Sequence, residues 1–417
     1  MSLRPETGVR LITEEMPGRG LVAVALTVGA GGDDDPAGRH GMAHLVEHLM
    51  FPRDDEADGF VALVQEAGGM CNAETHRDHT VFHTVVPADA LPDVLALEAR
   101  RLLRFGPSAA TLRSEAAVIG EEIRAAGAGN RLWDTVLAAL HPGARDAYGT
   151  TAELRDATVE EAETFFHRHY RPERVVLSVV GDVDAGRVEE LVRREFGAWT
   201  TPAAEVDAKA GPAAEAPAHR EAARRTPGAA SSLPYGRNGV AIGHALADPN
   251  RWGLGPYLAQ VVLCEVLRRR IPGLIARTGA WDAASVHTGY QGQWLASAAP
   301  DLALVLLGRA PGADSEEAVG PWLDALADVA TAPPDEPELR RAVAVLRASC
   351  YRQADSLTAR AVTHGRAALL FTRAGGDTNP DAIPAHLAAV TAAGVSEAAR
   401  DLLVAPRSVH VLEGVAV

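Results

Sequence analysis

Two stretches far apart in the chain follow one pattern, and this repetition constrains the fold most. Residues 157–183 read ATVEEAETFFHRHYRPERVVLSVVGDV, and residues 393–417 read AGVSEAARDLLVAPRSVHVLEGVAV. Each runs from a small turn through an amphipathic helix and a proline-containing turn into a strand. The chain has 417 residues, which suits two domains of about 200 residues each. We therefore predict a duplicated domain, whose two copies can clamp a ligand between them.

The segment between the two copies has the composition of a linker. Residues 200–234 are rich in Ala, Pro, Gly, Glu and Ser and contain almost no large apolar residues, so no core can form there. We predict a first domain at 1–199, a linker at 200–234 and a second domain at 235–417. In the first domain, a Val- and Leu-rich segment at 18–32 predicts a buried strand that ends at glycines.

The overall composition excludes several classes of protein. The formal net charge of −15 disfavours binding to nucleic acids or to anionic lipid surfaces. The N-terminus lacks the apolar segment of a signal peptide, and no apolar run is long enough to span a membrane. The three widely spaced cysteines, Cys71, Cys264 and Cys350, argue against a disulfide framework. We expect a soluble, cytoplasmic protein in which any metal site uses His and carboxylate ligands.

A short predicted helix carries a pattern suited to metal binding. Residues 39–51 read RHGMAHLVEHLMF, and helical spacing places His44, Glu47 and His48 on one face. Two imidazoles at positions i and i+4 can bind one metal ion, with Glu47 beside them, which is the inverted form of the HExxH zinc helix. The alternative is a solvated helix face or a buried pair of histidines with no metal.

A third ligand is expected from a second predicted helix, at 111–126. Glu115 and Glu122 are two helical turns apart and share a face with apolar residues, whereas Glu121 is rotated by about 100° toward solvent. A carboxylate on a buried face is costly unless it is paired or bound to metal. We therefore predict Glu122 as the ligand and Glu115 as a residue that orients a ligand. The alternative is that both carboxylates simply face solvent.

These motifs together carry a family resemblance. GMAHLVEHLMF, then GGMCNAETHRDHTVFHTVVP, then EAAVIGEEI resembles the pitrilysin-type (M16) zinc metallopeptidases, including the mitochondrial processing peptidase beta subunit and bacterial relatives. In that family an HxxEH helix is followed some seventy-odd residues later by a glutamate ligand, and here 73 residues separate His48 from Glu122. The resemblance implies an α+β fold of two homologous α/β domains, each a mixed, largely antiparallel sheet with helices packed on it.

The resemblance also implies zinc-dependent hydrolysis of peptide bonds. One zinc ion would be held by His44, His48 and Glu122, with Glu47 as general base and Glu115 as the residue that orients a ligand. Short or unfolded peptides, including a peptide precursor with a leader, are the expected substrates. A substrate would pair with an edge strand that contains Asn72, Ala73, Glu74 and Thr75.

The chain departs from the family in its second half. Active members usually carry an Arg and a Tyr spaced R-x6-Y, which help to stabilise the oxyanion. Residues 264–292 contain Arg277 but no tyrosine at that spacing, and Trp281 stands near the expected position. Either a second M16-like subunit supplies the pair in a heterodimer, or Arg277 or Tyr290 is repositioned to contact substrate.

Two further alternatives concern neighbouring histidines and the function itself. His76, His79 and His83 follow Asn72 closely, and they form either a second metal site or the polar edge of a strand. The competing function is a non-catalytic scaffold or interaction subunit of the same family. Such subunits typically lose the HxxEH motif, which this chain keeps, so the sequence favours an enzyme.

Overall fold

The computed structural model describes residues 2–3, 8–51, 59–126, 128–199, 238–298, 300–309 and 315–412. The predicted linker at 200–234 lies outside the described residues, so its prediction stays untested. Of the helices in the described ranges, none is long and apolar enough to cross a membrane.

Ten strands are present in the described residues, and they form two sheets. The strands are β1 (Ser2–Leu3), β2 (Arg10–Glu15), β3 (Leu21–Val28), β4 (Met70–Thr75), β5 (Thr80–Pro87), β6 (Val175–Gly181), β7 (Gly239–Ala245), β8 (Trp281–Thr288), β9 (Leu302–Arg309) and β10 (Arg407–Leu412).

The α-helices lie between these strands. They are α1 (Met42–Leu49), α2 (Phe60–Glu66), α3 (Leu91–Leu103), α4 (Ala109–Ala125), α5 (Ala128–Leu140), α6 (Thr151–Arg155), α7 (Val159–His169), α8 (Ala185–Phe196), α9 (Pro249–Trp252), α10 (Leu254–Thr278), α11 (Ser315–Thr331), α12 (Glu336–Ala354), α13 (Leu357–Leu370), α14 (Ile383–Ala388) and α15 (Ala392–Val404).

The order of the strands confirms the duplication. The first sheet has the order β1-β2-β6-β3-β5-β4, and the second has the order β10-β7-β9-β8. Strands β3 to β6 of the first sheet therefore occupy the same relative places as β7 to β10 of the second. All pairings are antiparallel except that of β2 with β6. The predicted α+β fold with two mixed, largely antiparallel sheets is confirmed.

Two compact units are present, and each includes a segment from the other half of the sequence. The first unit comprises the described parts of Met1–Ala125, Arg145–Gly211 and Arg352–Leu370, and the second comprises those of Ala126–Ala144, Pro212–Tyr351 and Phe371–Val417. Helix α13 thus belongs to the unit with the first sheet, and α5 belongs to the unit with the second. The contiguous boundaries at 1–199 and 235–417 stay a prediction, to which the structure adds these two exchanged segments.

The first sheet is covered on both faces. A large apolar core on one face includes Leu26 and Phe82 of the strands together with Leu45 of α1, Leu95 of α3 and Ile119 of α4. A smaller cluster on the other face joins Ala23, Ala25, Val81 and Val180 to Ala361 and Val362 of α13. Because side chains alternate along a strand, the two faces of β3 and β5 contact different helices.

Helix α13 packs unusually close to the sheet. A Cβ atom at Gly365 would lie 2.1 Å from Oγ1 of Thr27, so only glycine allows this approach. Arg10 Nη1 donates to the carbonyl oxygen of Ala368 at 2.7 Å, and Glu14 accepts hydrogen bonds from the guanidinium of Arg360. These contacts bind α13 to strands β2 and β3.

Candidate metal centre

The start of α1 is fixed by a carboxylate that precedes it. Asp35 accepts hydrogen bonds from the backbone N–H of Gly41 at 2.6 Å and of Ala43 at 2.8 Å. Gly41 has φ +104°, and a side chain there would also approach Leu154 to 2.9 Å. Burial raises the pKa of Asp35 to about 6, although its two backbone hydrogen bonds oppose this shift. The helix that carries the histidines therefore begins at a defined place and in a defined direction.

Three potential metal ligands converge between α1 and α4. His44 and His48 lie on adjacent turns of α1, and their Nε2 atoms are 3.5 Å and 3.7 Å from Oε2 of Glu122. The three ligand atoms lie within 4.8 Å of one another. Among the described residues, this is the one group of three or more His, Cys or acidic side chains close enough to hold a metal ion. Two imidazoles and a carboxylate are a donor set that suits zinc.

The second ring nitrogen of each histidine is also held. Nδ1 of His44 lies 3.2 Å from the carbonyl oxygen of Tyr148, and Nδ1 of His48 lies 3.1 Å from Oε2 of Glu115. When Nδ1 donates to these acceptors, Nε2 carries the free lone pair that a metal ion requires. The side chain of Glu115 is buried, as expected for a carboxylate that orients a ligand.

Glu47 is buried beside the cluster and is held by a strand. Its Oε2 atom accepts a hydrogen bond of 2.5 Å from Oγ1 of Thr75, at the end of β4. Burial raises the pKa of Glu47; the nearby His44 and the Thr75 hydroxyl act against this shift, and Glu122 adds to it. A carboxylate with a raised pKa next to a metal site is suited to accept and return a proton. Glu47 and His44 are each less than a tenth exposed, so this is not a solvated helix face.

The predicted substrate segment is an edge strand. β4 is the outermost strand of the first sheet, and of the described strands only β5 pairs with it. Along β4 the exposed residues alternate with half-buried ones, so Asn72 and Glu74 lie on one face and Ala73 and Thr75 on the other. The outer backbone groups of an edge strand are able to pair with an extended peptide.

Two side chains near the expected position of the family's tyrosine already form hydrogen bonds within the second unit. Nε1 of Trp281 donates to the carbonyl oxygen of Ala318 at 2.8 Å, and Trp281 is fully buried. The hydroxyl of Tyr290 donates to the carboxylate of Asp134. Arg277 is exposed in the last turn of α10, and its assignment to substrate binding stays a prediction.

The structure brings together the side chains that the sequence predicts as ligands. One expectation, the burial of Glu122, is wrong. Glu122 was expected on a buried face, but its side chain is 45% exposed, whereas that of Glu115 is 4% exposed. Glu122 is identified as a candidate ligand by its distances to His44 and His48, and not by burial. Sequence reasoning missed Asp35 and Tyr148: an acidic residue ahead of a helix is a recognisable cap signal, but a backbone carbonyl has no sequence signature.

Comparison with known proteins agrees with this fold and this cluster. Residues 10–141 match the family profile described as "Insulinase (Peptidase family M16)", and residues 156–274 match "Peptidase M16 inactive domain". Together the two matches span more than half of the chain. The fold and the profile matches are those of a peptidase family whose named members include zinc proteases. The chain belongs to peptidase family M16.

Several relatives are named as zinc proteases. A protein of Mycobacterium tuberculosis described as an "uncharacterized zinc protease" is 34% identical over 199 residues, 46% of this chain and 45% of that protein. The probable mitochondrial-processing peptidase subunit beta of Schizosaccharomyces pombe is 26% identical over 199 residues, 46% of this chain and 44% of that one. The chain thus spans less than half the length of these relatives.

Solved structures show the same fold at low sequence identity. A protease from Helicobacter pylori has a TM-score of 0.78 and 18% identity, with 99% of each chain covered. A peptidase M16 inactive domain from Pseudomonas fluorescens has a TM-score of 0.77 and 16% identity, covering 100% of this chain and 98% of that chain. At these identities the likeness supports the fold and does not extend to substrates.

Proposed function

We propose that the chain is a zinc-dependent endopeptidase that hydrolyses peptide bonds in short or unfolded peptides. The observation that carries this proposal is the convergence of His44, His48 and Glu122, with Glu47 buried beside them and held by Thr75. A non-catalytic subunit needs neither a buried carboxylate with a raised pKa nor a hydrogen bond that aims it. The profile with "inactive" in its description matches residues 156–274, outside this cluster.

Each residue of the cluster has a separate task in this proposal. When bound, zinc supplies a Lewis acid that polarises the scissile carbonyl group and lowers the pKa of water. His44, His48 and Glu122 would hold the ion, and Glu115 orients His48. Glu47 accepts a proton from the attacking water and returns it to the leaving amine, and a single carboxylate can perform both transfers.

The substrate is proposed to bind along β4 as an added strand. Its backbone would pair with the outer edge of the segment Asn72–Thr75, and its side chains would alternate between the two faces. Main-chain pairing depends little on sequence, so this mode suits a range of extended peptides. A segment that is already paired on both edges within a folded domain cannot add as a strand, so this binding mode favours flexible, extended chains.

Removing the metal is expected to abolish peptide cleavage reversibly. The purified protein should bind one zinc ion, and a chelator should reduce cleavage of a fluorogenic peptide to background, because the three side chains alone polarise no carbonyl group. One equivalent of zinc should restore the rate, and magnesium, which prefers oxygen ligands, should not. Zinc content and initial rates are the measurements. Stoichiometric zinc with no cleavage of any peptide, in the presence of the partner described next, would favour the non-catalytic alternative.

We further propose that a second M16-like subunit completes the enzyme by supplying the Arg and Tyr pair. The indole of Trp281 and the hydroxyl of Tyr290 are already engaged within the second unit, which supports a donor from outside this chain. All three cysteines are free, which supports a reducing cytoplasm for the assembled protein.

Adding such a partner is expected to raise the cleavage rate strongly. Loss of an oxyanion donor typically costs about 10²–10³ in kcat, so the chain alone should be slower than the heterodimer by that factor. The measurement compares peptide turnover by the chain alone with turnover after co-expression with an R-x6-Y-containing M16 protein encoded nearby. A partner variant without the tyrosine is the control. Full turnover by the chain alone would contradict the heterodimer.

A further inference from the structure

The turn between β4 and β5 lies directly beside the proposed general base. It runs from His76 to His79, and it follows Thr75, whose hydroxyl donates to Glu47. The backbone N–H of His76 donates to the carbonyl oxygen of His79 at 2.8 Å, and the N–H of Gly32 donates to the carbonyl oxygen of His76 at 3.0 Å. Because Thr75 is covalently next to this turn, a shift of the turn moves the Thr75 hydroxyl relative to Glu47.

An arginine from a distant part of the sequence binds both histidines of this turn. Arg366 lies on α13, its side chain is 13% exposed, and it belongs to the same compact unit. Its Nε atom donates to Nε2 of His79 at 3.0 Å, and its Nη2 atom lies 2.7 Å from Nε2 of His76. The two imidazole rings are stacked and parallel, with centroids 4.4 Å apart. Oε2 of Glu74, on β4, completes the cluster at 3.6 Å from Nη2.

The chemistry of the cluster favours a neutral imidazole at His79. A guanidinium group only donates hydrogen bonds, so Nε2 of His79 accepts from Arg366 while its Nδ1 lies 2.8 Å from Oδ1 of Asp78. Nε2 of His76 lies between Nη2 of Arg366 and Oε2 of Glu74, at 2.7 Å and 3.1 Å. Burial lowers the pKa of His79 to about 3 and lowers that of His76, and the positive charge of Arg366 acts in the same direction on both. A second metal ion among these histidines would face that guanidinium, so the structure favours the polar-edge alternative for His76 and His79.

We propose that Arg366 is a positioning residue for the peptidase site. It holds the β4–β5 turn through His76 and His79, and the turn in turn holds Thr75 where its hydroxyl aims Glu47. This inference rests on the proposed function, since positioning matters only if Glu47 handles a proton. The proposal makes α13 necessary for the geometry of a site whose proposed metal ligands and general base all lie before residue 123.

Attachment of α13 does not by itself explain Arg366. Arg360, on the same helix, forms a bidentate ion pair with Glu14 of β2, which lies toward the opposite edge of the sheet from β4. That pair binds the helix to the sheet without contacting the active-site strand. Arg360 therefore offers a matched control: the same residue type, the same helix and a comparably buried side chain.

A double-mutant cycle tests the coupling directly. In the zinc-loaded protein, Arg366→Gln is expected to lower kcat for a fluorogenic peptide by about 10- to 100-fold with little change in KM, because catalysis is sensitive to small displacements. Thr75→Val should also lower kcat, and the double variant should be little slower than the slower single variant. Arg360→Gln should lower the unfolding temperature and leave kcat unchanged. Multiplicative effects of Arg366→Gln and Thr75→Val would overturn the proposal.

Hydrogen exchange of the metal-free protein provides a readout that does not need activity. Arg366→Gln should speed backbone exchange in a peptide spanning 70–82 and leave peptides of β3 and β6 unchanged, whereas Arg360→Gln should leave 70–82 protected. If Arg366→Gln does not fold, Arg366→Lys, which keeps the charge but not the planar fork, goes through the same tests. Unchanged exchange at 70–82 overturns the positioning role. If Arg366→Gln speeds exchange at 70–82 but the zinc-loaded parent cleaves nothing even with the second subunit present, the contact is sustained and the proposed function is rejected instead.

Discussion

Replacing Glu47 with Gln is expected to slow peptide cleavage by about 10³-fold while the protein keeps its zinc, because the amide cannot accept a proton. The substitution preserves the shape of the side chain, and its carbonyl oxygen still accepts the hydrogen bond from Thr75. Glu47 is not one of the three convergent ligands, so the affinity for zinc should change little. Initial rates, zinc content and the unfolding temperature together separate a lost proton acceptor from a lost metal site.

The unfolding temperature of this variant is an informative control. The pKa of Glu47 is raised by burial, which means that the folded protein disfavours its charged form relative to the unfolded chain. Replacing the carboxylate with a neutral amide therefore should not destabilise the metal-free protein. A Glu47→Gln variant that is stable, holds zinc and cleaves as fast as the parent would show that the general base has been assigned wrongly.

Replacing Glu122 with Ala is expected to weaken zinc binding by more than about 100-fold. Loss of a residue that merely orients a ligand typically costs 10- to 100-fold in metal affinity, and loss of a ligand itself should cost more. Two histidines alone leave the ion with too few protein ligands for a catalytic zinc site. The dissociation constant is measured by competition with a chromophoric chelator, and peptide cleavage should fall in proportion to the zinc that is lost.

The neighbouring residue provides the matched control for this prediction. Glu121 is the same residue type on the same helix, but its side chain is 75% exposed and pairs with Arg124 instead of the histidines. Glu121→Ala should bind zinc like the parent, since an exposed ion pair contributes little. If Glu121→Ala and Glu122→Ala weaken binding equally, α4 supports the site only through its overall charge and Glu122 is not a ligand.

Much of the site could be predicted because it depends on local spacing. Helical periodicity alone places His44, Glu47 and His48 on one face, and the same rule places Glu115 and Glu122 two turns apart. The duplication could be predicted because two segments share one sequence pattern, and similar patterns form elements in the same order. These features follow from short-range geometry that any helix or strand obeys.

The features that were missed depend on contacts between distant residues. The exposure of the Glu122 side chain depends on which other elements pack over that part of α4. Helical periodicity gives the face of the helix but not its neighbours. The hydrogen bond from Thr75 to Glu47 joins a strand to a helix whose register follows from the whole sheet. Arg366 has no sequence relation to the HxxEH helix, and nothing in residues 357–370 indicates which sheet they cover.

The position of α13 in the first unit also has a consequence for the order in which the chain can fold. A nascent chain that has left the ribosome only as far as residue 199 already carries every side chain of the proposed metal centre. It lacks α13, so the face formed by Ala23, Ala25, Val81 and Val180 has nothing to pack against. Maturation of the catalytic unit must therefore wait until translation has passed residue 370. A product that ends earlier carries the three candidate metal ligands without the helix that covers this face of the sheet.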